Sequence, residues 1–332
     1  MNKIYQKWLY GYNPLNAEPY QVVPEKRREM PSSFYKYYAL TDNSIDALSN
    51  QYVYASHPYQ LNDPFDCDLR MIQFKTPQSA AGLFGKNLDL ADTCKKMFRT
   101  EKEYMSFCNQ SFWTILYRKL GILSLTTTNI DMRMWALYAQ NSGFCLEFDT
   151  TLFPFIKNGP FPIHYCRNIK PIIIDDNIDM HIPMLIQTNV KHKHWEYEDE
   201  WRLLIQPPQG VDLQTKGNKF VENLYDKYTN VHNRKFHYPI EALKSVVLGF
   251  HFFRDIISSD RYVKKRNGFL LRYEKECNQT KVLDILSLKM RHSKVKIYLL
   301  CKDINKPLEK FITIPIKISR YQQYTYHLTE EE

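Results

Sequence analysis

Short runs of aromatic and β-branched residues recur along this chain and predict strands. The run SFYKYY at residues 33–38 is typical, because such residues suit the pleated, half-buried surface of a sheet. Between the runs lie stretches whose apolar residues recur at helical spacing. The chain is therefore predicted to combine strands with helices. The predicted strands are residues 33–38, 52–54, 121–126, 144–149, 162–166, 242–249, 294–301 and 311–317.

Helical spacing is clearest in residues 77–120, where apolar side chains recur on one face. Residues 41–44, Thr-Asp-Asn-Ser, offer N-caps for a short helix, and Asn141-Ser-Gly143 provides a stop for another. The predicted helices are residues 45–48, 77–120, 132–139, 178–192 and 254–265.

Three consecutive ranges describe the predicted domain organisation. Residues 1–30 are rich in Tyr, Asn, Pro and charge and are predicted to be an irregular arm. Residues 31–255 form the main domain, in which residues 207–238 are polar and predicted to be a loop. Residues 256–332 are a carboxy-terminal extension that completes or adds to the sheet.

Composition narrows the class of protein. The 332 residues include 24 Tyr and 19 Phe but only 10 Gly, which does not suit a glycine-loop nucleotide binder. The formal charge of +9 would attract a polyanion, although most lysines are also explained as ordinary solubility charge. The seven cysteines lack any CxxC or Cys/His ligand spacing, so we expect reduced thiols and no metal site. With no long apolar run, a cytoplasmic protein without membrane contact is expected.

Residues 194–205, HWEYEDEWRLLI, place acidic residues between large aromatics and before an arginine. A strand would put Glu196, Glu198, Glu200 and Arg202 on one face. A helix would instead pair Glu198 with Arg202 at i,i+4. Either conformation sets carboxylates beside aromatic walls, as in many functional sites, and a salt-bridged edge of the core gives the same pattern.

The turn at residues 62–66, Asn-Asp-Pro-Phe-Asp, has two interpretations. Asn and Asp before proline form Asx-type turns, which is a structural role. Alternatively, Asn62 or Asp63 lines a cleft beside Ser56 and His57. His57 is followed by proline, which favours a loop role over catalysis.

Several short motifs follow one another in a fixed order. They are Tyr35-Lys-Tyr37, Tyr54-Ala-Ser56 with residues 61–66, Leu123-Ser-Leu-Thr126, Met134-Trp-Ala-Leu-Tyr138 with residues 142–149, residues 193–202 and residues 243–249. Over residues 33–250 this order resembles a known bacterial family, domain of unknown function 2971, whose members look like accessory or toxin-type proteins of bacterial defence.

The same order resembles, more distantly, the ADP-ribosyltransferase fold, in which a split sheet clamps NAD. This resemblance implies an α+β fold with a split, mostly antiparallel β-sheet flanked by helices. It places Lys36 and Tyr37 on the early strand, although that strand has no Arg or His. The middle residues that it implies are Ser124, Thr126 and Tyr138, and the late glutamate is Glu198 or Glu200.

The resemblance also implies the chemistry of these residues. A fixed carboxylate, Glu198 or Glu200, would stabilise the oxocarbenium-like centre that forms when nicotinamide leaves. Tyr138 is the third catalytic candidate. The residues assigned to NAD binding are Lys36, Tyr37, Ser56, Asn62, Asp63, Ser124, Thr126, Trp135 and Arg202. The rings of Trp135 and Tyr138 would stack on nicotinamide, although their helical spacing is equally explained by packing in the core.

The predicted function is therefore transfer of ADP-ribose from NAD, or NAD cleavage, in bacterial defence. The acceptor would be a protein or a nucleic acid, and a phage-encoded trigger or a cognate antitoxin would be a partner. One alternative is a nuclease in which Asp63, Asp66, Glu198 and Glu200 bind Mg²⁺. Another is a non-catalytic sensor that binds a phage protein or nucleic acid.

Overall fold

The computed structural model divides the chain into two compact units, each built from three stretches of sequence. Unit 1 comprises residues 1–29, 55–124 and 155–235, and unit 2 comprises residues 30–54, 125–154 and 236–332. The units interleave along the chain, whereas the sequence predicted consecutive ranges. The structure describes residues 2–16, 18–80, 88–118, 121–153, 159–175, 178–205, 234–259, 261–306 and 310–331.

The strands and helices have the following bounds. The strands are β1 (Asn2–Tyr5), β2 (Trp8–Tyr12), β3 (Tyr20–Val23), β4 (Ser33–Tyr38), β5 (Tyr52–Tyr54), β6 (Ile72–Phe74), β7 (Gly121–Thr126), β8 (Phe144–Asp149), β9 (Phe161–Pro162), β10 (His164–Cys166), β11 (Ile172–Ile174), β12 (Val190–His192), β13 (Glu200–Ile205), β14 (Lys235–His237), β15 (Leu243–Leu248), β16 (Tyr262–Lys265), β17 (Gly268–Arg272), β18 (Lys296–Lys302), β19 (Phe311–Gln322) and β20 (Thr325–Glu330). The α-helices are α1 (Asp42–Ser49), α2 (Pro77–Ala80), α3 (Leu88–Lys95), α4 (Glu101–Arg118), α5 (Met132–Ala139), α6 (His181–Asn189), α7 (Arg254–Ser258) and α8 (Asn278–Asp284).

The amino-terminal segment of unit 1 forms an antiparallel sheet in the order β1-β2-β3. The prediction of an irregular arm at residues 1–30 was therefore wrong. The β1–β2 hairpin turns through Gln6 and Lys7, both at positive φ, so it lacks the Gly or Asn that marks such a turn in sequence. Buried Tyr5, Tyr10 and Tyr20 anchor the sheet in the core of unit 1.

The remaining core of unit 1 surrounds α6, which is buried from Ile182 to Asn189. Around it, β6 pairs with β11 and β10 pairs with β12, both in parallel, while β13 pairs with β9 in antiparallel. The predicted helix over residues 178–192 ends at Asn189, because β-branched Val190 enters β12. The predicted helical region at 77–120 contains α2, α3 and α4, and its residues 81–87 and 119–120 lie outside the described chain.

Unit 2 is built on a sheet whose neighbouring strands run in the order β16-β17-β20-β19-β18-β15-β8-β4. Each pair is antiparallel except β15 with β18, and Tyr35 of β4 also pairs with Thr126 at the end of β7. Helices α1, α5 and α8 belong to the same unit. The predicted α+β class, with a mostly antiparallel sheet flanked by helices, is confirmed.

The carboxy-terminal residues add five strands, β16 to β20, to this sheet. The predicted helix at 254–265 was wrong beyond Ser258, because Tyr262–Lys265 forms a hairpin with β17 that turns through Arg266 and Asn267. Gly268 has a φ of 135°, which favours glycine. Of the predicted loop at 207–238, residues 206–233 lie outside the described chain. Within the described residues, no helix has the length and apolarity needed to span a membrane.

Candidate functional site

The acidic-aromatic stretch is part 3₁₀-helix and part strand. Lys193–Glu198 forms the 3₁₀-helix, Asp199 takes a left-handed conformation with a φ of 42°, and β13 begins at Glu200. The prediction of one continuous strand face was therefore wrong for Glu196 and Glu198, and the helical i,i+4 alternative was wrong as well. Asp tolerates the left-handed region because its short side chain bonds locally, so no glycine marks the break.

Glu198, Glu200 and Arg202 nevertheless come together in unit 1, in what we call the buried ion cluster. Its other members are Asp66 and Lys191. None of the five residues is more than 6% exposed. Three acidic and two basic groups give the cluster a formal charge of −1. Since burying an unpaired charge is costly, so many charges in one place require near-complete pairing.

Arg202 uses all five of its N–H donors. Nε and Nη2 donate to the two carboxylate oxygens of Glu200 at 2.7 and 3.1 Å. Nη1 donates to Asp66 Oδ1 and to the Thr188 carbonyl, both at 2.8 Å, and Nη2 also donates to Asp66 Oδ2. The guanidinium thus joins β13 to the 62–66 turn and to the end of α6. This planar fork is a geometry that lysine cannot reproduce.

Lys191 is the second cation of the cluster, and it was missed by the sequence analysis. Its Nζ donates to Glu198 Oε2 and, at 3.2 Å, to Glu200 Oε2, and it lies 3.9 Å from Asp66 Oδ2. The same ammonium lies 4.9 Å from the centre of the Trp195 ring. Trp195 therefore packs on the cluster through a cation–π contact.

Glu200 and Lys191 stay charged at neutral pH. Burial alone would raise the pKa of Glu200, but Arg202, Lys191 and a hydrogen bond from Ser124 hold it well below its ordinary value. Burial would likewise lower the pKa of Lys191, yet Glu200, Asp66 and Glu198 raise it above its ordinary value. Groups with such pKa values do not exchange protons near pH 7, so the cluster suits stabilisation of charge rather than acid–base chemistry.

The other site residues predicted in unit 1 lie around this cluster. Ser124 bonds to Glu200. Asp63 is buried and accepts a hydrogen bond from the Phe65 amide at 2.9 Å, which is the Asx turn of the structural interpretation, whereas Asn62 is exposed. Ser56 forms an antiparallel bridge to Ile122 through its backbone. The turn therefore serves to present Asp66 to Arg202.

The remaining predicted residues belong to unit 2. Trp135 is 1% exposed, donates through Nε1 to the Asn129 carbonyl at 2.7 Å and packs edge-on against Tyr37 at 5.1 Å. Tyr37 donates through Oη to the Thr128 carbonyl at 3.0 Å. Trp135 and Tyr37 are thus core residues, as helical spacing had indicated for Trp135.

Three further predicted residues of unit 2 differ in burial. Thr126 is buried, whereas Lys36 and Tyr138 are partly exposed. Lys36 lies on the face of β4 opposite Tyr37, with its Nζ 5.7 Å from the centre of the Tyr38 ring. Lys36 and Tyr37, both predicted to bind NAD, therefore lie on opposite faces of β4.

Unit 1 also contains a cavity of about 420 Å³ that the sequence analysis did not find. Phe65, 58% exposed, forms part of its wall. Arg70 is engaged by Asp68 through both carboxylate oxygens, whereas Lys170 has no ion pair with any residue that the structure describes. The lining residues are Phe65, Asp68, Arg70, Met71, Ile169, Lys170, Pro171 and His192.

Two residues that line this cavity are chain neighbours of residues in the buried ion cluster. Phe65 directly precedes Asp66 in the chain, and His192 directly follows Lys191. Gln187 of α6 donates to the Asp68 carbonyl at 2.7 Å, which fixes a third part of the wall. These contacts tie three parts of the cavity wall to buried side chains of unit 1.

Three of the four carboxylates assigned to Mg²⁺ in the nuclease alternative bind cations of the protein instead, and the fourth, Asp63, accepts a hydrogen bond from the Phe65 amide. Asp66 and Glu200 bind Arg202, and Glu198 binds Lys191. Across the part of the chain that the structure describes, no group of three or more His, Cys, Asp or Glu side chains could hold a metal ion.

Comparison with known proteins identifies one family. The family model described as "Protein of unknown function (DUF2971)" matches residues 134–203, which confirms the predicted resemblance over that range. The matched residues run from α5 into β13 and include Lys191, Glu198, Glu200 and Arg202. No curated protein and no solved structure matches the chain.

Proposed function

We propose that this protein, which matches the family of unknown function 2971 over residues 134–203, binds NAD and transfers its ADP-ribose to a protein or nucleic acid, or cleaves NAD with water as acceptor. The observation that carries the proposal is the pair of buried carboxylates, Glu198 and Glu200, which bind Lys191, the residue that precedes His192 of the cavity lining. Both lie within residues 134–203, the range matched by the family model.

The cavity fits part of a dinucleotide. Its volume of about 420 Å³ is within the range of small-molecule sites. The exposed Phe65 ring offers a stacking surface for a base, and Lys170 offers a charge for a phosphate. A ligand that is both aromatic and anionic suits these groups best.

The reaction breaks the bond between nicotinamide and C1′ of the ribose, and the bonding electrons leave with nicotinamide. The acceptor oxygen or nitrogen bonds to C1′ and loses its proton. Positive charge develops on the ribose during this step, so a nearby ionised carboxylate lowers the barrier. We assign this role to Glu198, because both oxygens of Glu200 are engaged by Arg202 and Glu200 is better suited to positioning.

The fold is part of the same proposal. The order of motifs, with Lys36 and Tyr37 on an early strand and Glu198 and Glu200 late in the chain, follows the split sheet of ADP-ribosyltransferases. A role as a bacterial defence effector, with a phage-encoded trigger or an antitoxin as partner, extends this proposal.

The test is incubation of the purified full chain with labelled NAD and a bacterial lysate, with nicotinamide release and label transfer as readouts. We expect Glu198→Gln to lower nicotinamide release by about 100-fold or more. Glu196→Gln is the matched control, because Glu196 is exposed on the same 3₁₀-helix and pairs only with Lys193 at the surface in the described structure. Equal activity of both variants would reject the catalytic role of Glu198.

The cavity is tested separately by calorimetric titration of NAD into the same protein. Lys170→Glu should weaken NAD binding at least tenfold, whereas Lys193→Glu, which changes an exposed lysine outside the cavity lining, should not. A matched loss of affinity in both variants would show that general charge attracts NAD and would reject this binding site.

A second candidate is binding of such a ligand without turnover. The complete pairing of the Arg202 donors and the 3% exposure of both glutamates favour it, since these are features of a structural ion network. NAD binding that depends on Lys170, without any nicotinamide release, would select this candidate.

A further inference from the structure

The positive charge of the chain is concentrated near its carboxyl end. Residues 256–332 contain 16 lysines and arginines but only nine acidic residues, so they supply +7 of the formal charge of +9. This range contains the five strands β16 to β20 of unit 2. The basic side chains of these strands form a single surface only if they point to the same face of the sheet.

One face of these strands is covered within unit 2. Tyr326 of β20 is fully buried, and its Oη donates to Asp284 of α8 at 2.8 Å. Arg320, its register partner on β19, also reaches Asp284, at 3.4 Å. Side chains alternate along a strand, so residues an odd number of positions from Arg320, such as Lys317, point to the opposite face.

Three lysines lie in one row across this opposite face. Lys317 of β19 is the register partner of Thr329, and Lys265 of β16 is the partner of Gly268. When the register of β17 with β20 is continued by one residue, Gly268 lies beside Thr329. When the register of β18 with β19 is continued by two residues, Lys296 lies beside Lys317. Lysines 265, 296 and 317 therefore form a row, which we call the basic row.

The basic row has no balancing charge in the described structure. All three lysines are exposed, and none forms an ion pair with a residue that the structure describes. Like charges directly opposite on neighbouring strands are destabilising, so Lys296 beside Lys317 is a cost to the fold. The next carboxylate along the row is Glu147, which is occupied by Ser33, Ser245 and Lys244.

The rest of this face carries basic, hydroxylated and aromatic side chains together with the apolar residues Val263, Leu270, Leu300 and Pro315. Arg272 and Lys302, both exposed, occupy the same face towards opposite ends of the strands. Tyr298 and His327 lie between the cations, with Thr313 and Ser319 beside them. Glu330 pairs with Ile316 and so points to the covered face. Cations interleaved with rings on a sheet suit a phosphate backbone with unstacked bases.

We propose that this face of the carboxy-terminal strands binds single-stranded nucleic acid. The lysines of the basic row contact phosphates, and Tyr298 and His327 offer rings for stacking. An anionic membrane surface is the competing partner. It is disfavoured because membrane-surface binding draws on exposed apolar side chains, whereas Leu270 and Leu300 of this face are buried. The proposal does not depend on NAD chemistry.

The experiment is fluorescence anisotropy of the full chain with labelled single-stranded oligonucleotides of about 20 nucleotides, poly-dT and poly-U. Three phosphate contacts predict a slope of about −2 for log affinity against log salt, by single-strand counterion release. Lys317→Glu should weaken binding at least tenfold while the protein stays folded, because a glutamate there faces Lys296 and forms an opposite-charge pair.

Lys264→Glu is the matched control. Lys264 is exposed on the same strand as Lys265 but points to the covered face, so its reversal changes net charge equally and should leave affinity within about twofold. Equal losses in Lys264→Glu and Lys317→Glu would overturn the proposal in favour of non-specific attraction. Tighter binding to duplex DNA, or to phosphatidylserine vesicles in a Lys317-dependent manner, would also overturn it.

Discussion

Arg202 explains how so much charge can lie inside unit 1. Moving an ion out of water costs several kcal/mol even after relaxation, and only good geometry with satisfied donors offsets it. Arg202 meets that condition with Asp66, Glu200 and the Thr188 carbonyl. The bonds to Asp66 connect residues 136 positions apart in the chain, so they define a tertiary structure rather than a local one. The cluster consequently fixes the 62–66 turn against β13.

His164 makes stability depend on pH. It is buried, stacks on Trp8 with ring centres 4.3 Å apart, and bonds through Nδ1 with Tyr10 Oη at 3.1 Å. Burial lowers the pKa of His164 to about 4 from its ordinary 6.5. Between these values the unfolded chain binds a proton that the folded chain excludes. The contribution to stability is therefore fully present above pH 6.5 and is lost as pH falls towards 4.

We expect the free energy of unfolding to fall by about 2 kcal/mol between about pH 7 and about pH 5 through this residue. Urea denaturation followed by tryptophan fluorescence measures the change. His164→Phe keeps the ring against Trp8 and cannot titrate, so its stability should depend less on pH by that amount. A variant with the same pH dependence as the original chain would assign the effect to other groups.

At the scale of elements, Asp131 sets the start of α5. Its Oδ1 accepts hydrogen bonds from the amides of Arg133 at 2.8 Å and Met134 at 3.3 Å. Burial would raise the pKa of this carboxyl, but hydrogen bonds from Arg133 and Met134 lower it overall. Asp131 thus combines an N-cap with a surface ion pair, and the sequence alone left its role ambiguous.

Asp131→Ala should lower the free energy of unfolding by about 1 kcal/mol, as loss of an N-cap does. Asp131→Asn keeps the capping oxygen and removes only the charge, so it should cost a few tenths at most. Thermal or urea unfolding of the two variants checks this. An equal loss in both would mean that the ion pair with Arg133, rather than the cap, stabilises the helix start.

Local signals explain which elements the sequence could predict. Strands β4, β5, β7 and β8 and helix α5 have the predicted bounds, because composition, caps and stop residues act over a few neighbours. The break at Asp199 and the turn at Gln6-Lys7 depend on positive φ in residues other than glycine. Neither could therefore be predicted from a glycine in the sequence.

The candidate site was predictable only in part for a related reason. Glu200 and Arg202 could be placed together, because period two along a strand puts them on one face. Lys191 was missed, since its contacts depend on how β12 lies beside the 3₁₀-helix rather than on spacing. The cavity residues come from three distant stretches of chain, and no pattern within one stretch could indicate them.

At the scale of the whole molecule, the accessibility of the cysteine thiols follows from how the two units pack internally. All seven cysteines are free, with Cys94, Cys277 and Cys301 partly exposed and the other four buried. Burial raises the pKa of Cys108 and of Cys166 to about 11, which further slows their reaction as thiolates. The buried thiols should therefore be protected as long as both units are folded.

Iodoacetamide should add at most three groups to the folded protein and all seven in urea, as measured by intact mass spectrometry. Peptide mapping should place the early groups on the three partly exposed cysteines. Fast labelling of Cys145, which is fully buried in unit 2, would contradict the packing described for that unit. Prior treatment with a reductant should not change the pattern, because the thiols are unpaired.

The interleaved course of the chain has a consequence for synthesis on the ribosome. Strand β4 is made early, but its partner β8 follows about a hundred residues later and β15 later still. Unit 1 is incomplete until residue 235 has been made, and unit 2 until the last strands emerge. Apolar strand segments of the nascent chain therefore remain unpaired until their partners have been made. Chaperones bind exposed apolar surface of this kind. A stop codon anywhere before residue 236 would leave both units unfinished, so this protein has to be made whole before either unit can be completed.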